Sequence, residues 1–559
     1  MLLKRFTVIL LMLVLCLLFP DVCSAQSNTP ELWVSPSGGL TADAIKVSRV
    51  NEKYYFFLPG GADLSGLRIG TNADAVLLNG HDLDPTSCTA EVFSETEPNE
   101  LVFVMGKTRR EMTLTVLRGS KIPSVYITTE SGSLKKIHRD KANKEPGFIV
   151  MHDADNRDIY RGSLKHFKMR GNSSVNYKKK NYAIKLEAGA NLLGMGKAKK
   201  WALLGNYLDK SFIRNQMNFD TARYVGLGYT PDCRQTALYI NNEYMGLYLL
   251  TEKIEIDDDR VDIRNLEKET EKLNSEALSS YPMSGSRFNA LGNFKAVEIP
   301  KDPDDITGGY ILEFEHMRSG YDAEPSAYCT KHGMMLIIHA PEYCSTAQAK
   351  YISGIMQSFE NAIFAKNGID PGTGKHYSEI VDMDSLVNKY LINEVTKNYD
   401  ANMSSEYYYK PEDSVSTKVF AGPVWDLDNT YGDYSRGNNR AVLNPETMLA
   451  SNKGSQDYWW PALYRQPDFY QAVVARYHER FVPALEILLG LREESDTLKS
   501  IETYASAIRE SAAMEYVLYP ELKQKRNQVQ TGSNPDENVQ YLKDYITKRM
   551  AFLSGVWVP

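Results

Sequence analysis

After its N-terminus the sequence has no long apolar run. Residues 6–19 are apolar, but nothing later in the 559 residues approaches the ~18 to 20 needed to cross a bilayer, so the rest of the chain is expected to be soluble. A basic excess is also missing. The 64 Lys and Arg against 71 Asp and Glu give a formal charge of −7, which argues against nonspecific attraction to nucleic acid. Cysteine is scarce, six in all. Neither hydrophobic content (43%) nor charged content (24%) is low enough or high enough to leave the chain disordered.

What is present at the N-terminus is Lys4 and Arg5, the apolar run, and a small-residue exit at Ser24 and Ala25. This reads as a signal peptide over residues 1–25, which would make the protein secreted or periplasmic. A lipoprotein anchor fits less well, because Cys16 and Cys23 each follow a bulky residue. Cleavage would leave a formal charge of −8 and four cysteines: Cys88, Cys233, Cys329 and Cys344. An oxidising compartment permits disulfides, and Cys329 with Cys344 would close a loop of about 15 residues, nominally worth about 3 kcal/mol. His332 and His339 lie between them, a spacing that matches no common zinc class.

The length calls for more than one core. Residues 26–120 hold short strand-like stretches, such as 54–58 and 112–116, separated by Gly, Pro and Asn clusters, and predict a small all-β, sandwich-like domain. Residues 121–260 continue with strands, a helix over 209–224 ended by Gly226, and a hairpin turning at Asn241-Asn242. Residues 261–559 are expected to be mostly helical, with a polar, mobile insertion near 267–305. Within them, Met383, Leu386, Val387, Tyr390, Leu391 and Val395 mark one face of an amphipathic helix capped by Asp382 or Asp384.

Three clusters have chemical potential. Arg170, Gly171, Asn172, Ser173 and Ser174 precede Lys178-Lys179-Lys180 and the strand-like segment bearing Lys185. Backbone and hydroxyl donors with a strand lysine suit phosphates, although a hairpin turn with solvated lysines would read the same way. Asp400 follows the amphipathic helix, where a loop carboxylate is held firmly and still reaches a cleft; an ordinary turn Asp is the plainer reading. Asp426 and Asp428 follow a Gly-Pro strand break, and alternate residues of an extended chain would point both at one cation such as Mg²⁺. In order along the chain, the three supply phosphate positioning, nucleophile orientation and metal binding, the parts that phosphoryl transfer requires. The kinase words G-x-G-x-x-G and D-F-G are absent, and residues 205–211 match a Walker A loop only loosely.

These segments resemble the CotH kinases. The similarity is carried by Arg170-Gly171-Asn172-Ser173-Ser174 with Lys179-Lys180-Asn181-Tyr182, by residues 203–215 (LLGNYLDKSFIRN), by the hairpin 238–252, by residues 308–314 (GGYILEF), and by Trp425-Asp426-Leu427-Asp428. The resemblance implies an α+β, two-lobed atypical protein-kinase-like fold after the β domain, with residues 121–260 as N-lobe and 261–559 as C-lobe. It also implies ATP and Mg²⁺ as cofactors and a protein substrate phosphorylated on Ser or Thr, including this chain itself. In that reading Lys185, with Lys180 as a rival, contacts phosphates beside residues 170–174. Asp400 orients the acceptor hydroxyl, Asp426 and Asp428 hold magnesium, and Glu252 is a hinge residue or a salt partner for the catalytic lysine. Val175 and Lys178 depart from the family's usual Trp and Pro. The alternative is an inactive envelope scaffold or glycan-binding protein using exposed aromatics such as Tyr458-Trp459-Trp460, a reading favoured by the scarcity of ATP outside the cytoplasm.

Overall fold

The computed structural model describes residues 29–285, 290–316, 318–433, 440–451, 458–524 and 532–559. The expected signal peptide lies outside them, and no helix among the described residues is long and apolar enough to cross a membrane.

The first strands are β1 (Leu32–Ser35), β2 (Ile45–Lys46), β3 (Ser48–Val50), β4 (Lys53–Leu58), β5 (Arg68–Thr71), β6 (Ala75–Leu78), β7 (His81–Leu83), β8 (Asn99–Met105) and β9 (Thr108–Arg118). They form two sheets, ordered β2-β1-β5 and β3-β4-β9-β8-β6-β7. Alternation along β9 turns Met112, Leu114 and Val116 inward, where they join Ile69 and Phe103 in one cluster. The same cluster takes in Tyr126, Tyr239 and Tyr244, so this all-β region is packed onto the barrel formed by residues 124–252.

That barrel consists of β10 (Ser124–Thr129), β11 (Lys144–His152), β12 (Asp158–Arg170), β13 (Asn181–Asn191), β14 (Lys197–Leu204), β15 (Cys233–Ile240) and β16 (Glu243–Glu252). The strands close in the order β10-β11-β12-β13-β14-β16-β15, through parallel pairing of β10 with β15. Phe167, Tyr182, Ile184, Trp201, Tyr248 and Leu250 fill the interior. The β15–β16 hairpin turns at Asn241 and Asn242, both with positive φ, as their side chains permit. Helix α1 (Arg214–Tyr224) starts later than the sequence predicts. Phe212 lies at φ +61°, and Asp209 binds the Ser211 and Arg214 amides, which shapes a turn where helix was expected.

The remainder is less helical than expected. Strands β17 (Met283–Gly285), β18 (Asn293–Val297), β19 (Tyr310–Glu315), β20 (Ala327–Cys329), β21 (Met335–Ala340), β22 (Ser404–Lys410) and β23 (Phe420–Ala421) form a seven-stranded sheet ordered β17-β18-β20-β21-β19-β22-β23. Continuous apolar runs such as Leu336-Ile337-Ile338 are buried strands, and periodicity alone does not separate these from helix. The segment near 267–305, expected to be a loop, holds helix α2 (Leu266–Leu273), edge strand β17 and its neighbour β18. Helices α3 (Thr346–Phe364) and α4 (Met383–Thr396) pack into the large core with this sheet, and Asp382 caps α4 by accepting from Ser385 N. All four described cysteines are free thiols, so Cys329 and Cys344 are not bridged. His332 stacks on Phe364 and His339 binds Glu313, leaving no metal cluster among the described residues there.

Helix α5 (Arg509–Leu518) returns to brace the barrel. Its Glu515 forms an ion pair with Lys179 at 2.9 Å, both side chains 0% exposed, and also accepts from Leu247 N. Lys179 donates to Leu247 O and lies over the rings of Tyr248, Phe212 and Tyr519. Gly246, at φ +113°, gives Glu515 room, since a Cβ there would come within 2.0 Å of Oε1. Burial opposes both charges, pulling Lys179 down and pushing Glu515 up, and each charge offsets the cost for the other. Glu515→Ala should therefore destabilise the protein by about 3–5 kcal/mol in urea unfolding, by stranding a buried ammonium. The uncharged pair Lys179→Met/Glu515→Leu should recover most of that loss; a single variant as stable as the wild type would contradict this role.

Candidate active site

A cleft of about 1940 Å³ separates the barrel from the second sheet, and Arg170, Lys185, Asp400, Asp426 and Asp428 all line it. Strand parity explains the basic wall. On β12, β13 and β14 the even face of one strand meets the odd face of the next, so inward Phe167, Ile184 and Trp201 leave Lys168, Lys185 and Lys200 on the outer surface. Lys253, one residue past β16, joins them; burial, then Arg170, pull it down to about 8. Residues 171–174 line the same cleft as a tight turn. Gly171 is required there, since its φ is +105° and a Cβ would lie 2.0 Å from Ser174 Oγ.

The acidic wall is built differently from the sequence expectation. Residues 422–428 are not an extended strand: Asp426 has φ +57°, so the two carboxylates reach the cleft through a left-handed turn and not by strand alternation. Residues 209–218 hold this turn in place. Asn215 Oδ1 accepts from Leu427 N at 2.8 Å, and Asn218 Nδ2 donates to Leu427 O and to Thr430 Oγ1. Arg214 Nε donates to Thr430 O at 3.0 Å while the guanidinium pairs with buried Asp209 and, at 3.4 Å, with Asp433. Segment 205–211 is thus a mount and not a phosphate loop; Lys210 is buried and donates to Gln524 O.

Asp400 sits just past the left-handed C-cap Lys397 of α4, and its own amide donates to Asn398 Oδ1. The end of α4 is clamped by fully buried Arg549 on the last helix, α6 (Pro535–Val556), which pairs with Glu394 at 2.8 Å and binds Thr447 O. Asp428 is crowded. Its buried Oδ1 has no hydrogen-bond partner, and burial followed by Asp426, Asp209, Asp400 and Asp433 pushes its carboxyl well up.

Across the cleft, Arg170 lies over the Trp425 ring at 5.2 Å, and Trp425 stacks on Phe219. Burial opposes the Arg170 charge, while Asp426, Tyr407 and Glu313 support it. Glu313 is itself a hub, accepting from Tyr407 OH at 2.7 Å and from Ser405 N, and pairing with His339. Burial works against the His339 imidazolium, but Glu313 outweighs it and holds this group above its ordinary value.

Two sequence-derived candidates fall outside the cleft lining. Lys180 donates to Val175 O, tying down the turn. Glu252 is buried against Arg260 at 2.7 Å and pushed up to about 7 by burial, so its salt partner is an arginine and not a lysine. Trp459 and Trp460, expected at the surface, are fully buried; Trp459 packs on Phe314 and Phe359 and donates to Glu360. Sequence reasoning missed Lys253, one residue past β16 on its outward parity, and assigned no role to Glu313 within residues 308–314.

A comparison with curated proteins finds no match. The family model described as CotH kinase protein matches residues 167–553. That span opens just before Arg170 and closes just after Arg549, so it encloses both walls of the cleft together with the mount and clamp that hold them. The chain belongs to the CotH kinase family.

Proposed function

We propose that this chain is an exported protein kinase that transfers the γ-phosphate of ATP to serine or threonine of a protein. In this reading residues 121–260 act as the smaller lobe and 261–559 as the larger, behind the β domain of residues 26–120. The observation that carries it is the meeting of Lys185 and residues 170–174 with Asp400, Asp426 and Asp428 in one cleft.

The residues suit a divalent cation. A buried carboxylate oxygen without a partner, among several other carboxylates, is relieved by positive charge. Asp426 and Asp428 would hold Mg²⁺, which supplies charge neutralisation for the phosphates when bound. Lys185 and Lys253 would bind phosphate oxygens, with the amides and hydroxyls of residues 171–174 as further donors. Asp400 would accept a hydrogen bond from the acceptor hydroxyl, turn its lone pair toward phosphorus, and take the proton as the new O–P bond forms and the bond from the γ-phosphorus to the β–γ bridging oxygen breaks, with ADP leaving. Arg170 would hold the two walls in register through Trp425 and Asp426.

With labelled ATP and Mg²⁺, the wild type should label itself or an added protein. Asp400→Asn should lower that rate by about 10²–10⁴-fold with nucleotide binding retained, and Asp426→Ala should abolish metal-dependent binding. A wild type that binds no nucleotide would leave the inactive scaffold as the better reading.

Asp428 gives a second test. Because its folded pKa is raised, the group favours folding while protonated, and that stability is lost as pH rises through the folded value. Asp428→Asn should raise the melting temperature of the metal-free protein, with a gap that widens as pH increases, and should abolish the further rise that Mg²⁺ gives the wild type. A variant that melts below the wild type at high pH, or still responds to Mg²⁺, would contradict the assignment.

A further inference from the structure

The outer face of the barrel carries more positive charge than a nucleotide requires. Lys144 of β11 stands opposite Lys168 of β12; His166 of β12 stands opposite Lys185 of β13, itself opposite Lys200 of β14. Lys165 and Lys199 join where the register shifts. The group is close enough for its members to disturb one another. Lys185 is lowered by burial and then by Lys200, Lys165 and Lys199; His166 is lowered to about 4 by burial and then by Lys144, Lys185, Lys168 and Lys165. Among the described residues only Lys200 of these lysines has an ion-pair partner, Glu255 at 2.7 Å.

Like charges set opposite one another on a sheet are destabilising, and this chain is acidic as a whole, so the group runs against the prevailing charge. Phosphate binding accounts for Lys185 and Lys253. It does not account for Lys144 and Lys165, which are exposed and lie outside the cleft lining. The row is continuous with the cleft, because Lys168, Lys185, Lys199 and Lys200 line it together with Asp400. Crossing four strands, it spans about 14 Å, the length of about four residues of extended chain.

We propose that this lysine row is a docking site for an Asp- and Glu-rich segment of the protein acceptor, beside the Ser or Thr presented to Asp400. The acceptor's identity as a kinase substrate rests on the function proposed above; the docking itself does not. A row that leads from an exposed sheet face into a cleft suits a single extended peptide better than a flat anionic bilayer, and the net negative chain would weaken attraction to any broad polyanionic surface.

The test uses the protein without its first 25 residues and fluorescent peptides in which one Ser is flanked by Glu or, as control, by Gln. Anisotropy should show binding of the Glu peptide that weakens with added salt, and at least about tenfold weaker binding of the Gln peptide. Lys144→Glu/Lys165→Glu, at exposed positions, should lose about tenfold in affinity for the Glu peptide with ATP binding unchanged. If the Glu peptide binds but receives no phosphate, docking stands and the kinase reading fails. Equal handling of both peptides by a protein that does transfer phosphate would overturn the docking site. So would sedimentation with phosphatidylglycerol vesicles without Glu-peptide binding, which would assign the row to a membrane surface.

Discussion

A turn that carries two carboxylates into a cleft already holding a third is unfavourable unless something stronger than their repulsion fixes its backbone. Here that is the buried Arg214–Asp209 pair with Asn215 and Asn218, which together bind the backbone on either side of Asp428. Each of these groups is itself desolvated, so the cluster is stable only when complete; removing one member strands a charge or an amide. Asp426 keeps its left-handed φ because both flanks are held, by this mount on one side and by the Trp425 stack on the other. The cleft's acidity is a property imposed by the surrounding scaffold.

The same logic gives the chain's last helices their place. Glu515 of α5 locks onto the barrel through Lys179, and Arg549 of α6 locks the end of the helix that presents Asp400. One wall of the cleft is thus braced by α5 and the other by α6. Sequence far from either wall, at the C-terminus, decides how firmly both are held, and the family match runs to residue 553 accordingly.

Much of this was legible in the residues. The capped helix at Asp382, the Asn241-Asn242 hairpin, the all-β start and the gathering of Lys185, Asp400, Asp426 and Asp428 come from period, turn chemistry and the demands of phosphate and metal. Other features were not. The seven-stranded sheet was hidden because its central strands β19, β20 and β21 are largely buried on both faces and lack a clean alternation, while its edge strand β17 is short and largely exposed. The different places of Lys185 and Lys180 were not legible: Lys180 donates to Val175 O and lies outside the cleft lining, whereas Lys185 reaches the cleft. Trp459 and Trp460 were misjudged because an aromatic pair has the same appearance in a core as on a surface, and Glu252 because its partner, Arg260, lies beyond the strand's end.

In the proposed function, the turn at residues 171–174 and the turn at residues 425–430 face one ligand. Hydrogen exchange of the amides, with and without Mg²⁺ and a non-hydrolysable ATP analogue, tests it directly. Slowed exchange is expected in both segments together, and in neither with nucleotide alone in Asp426→Ala. Protection confined to one segment, or spread over a different surface, would contradict it.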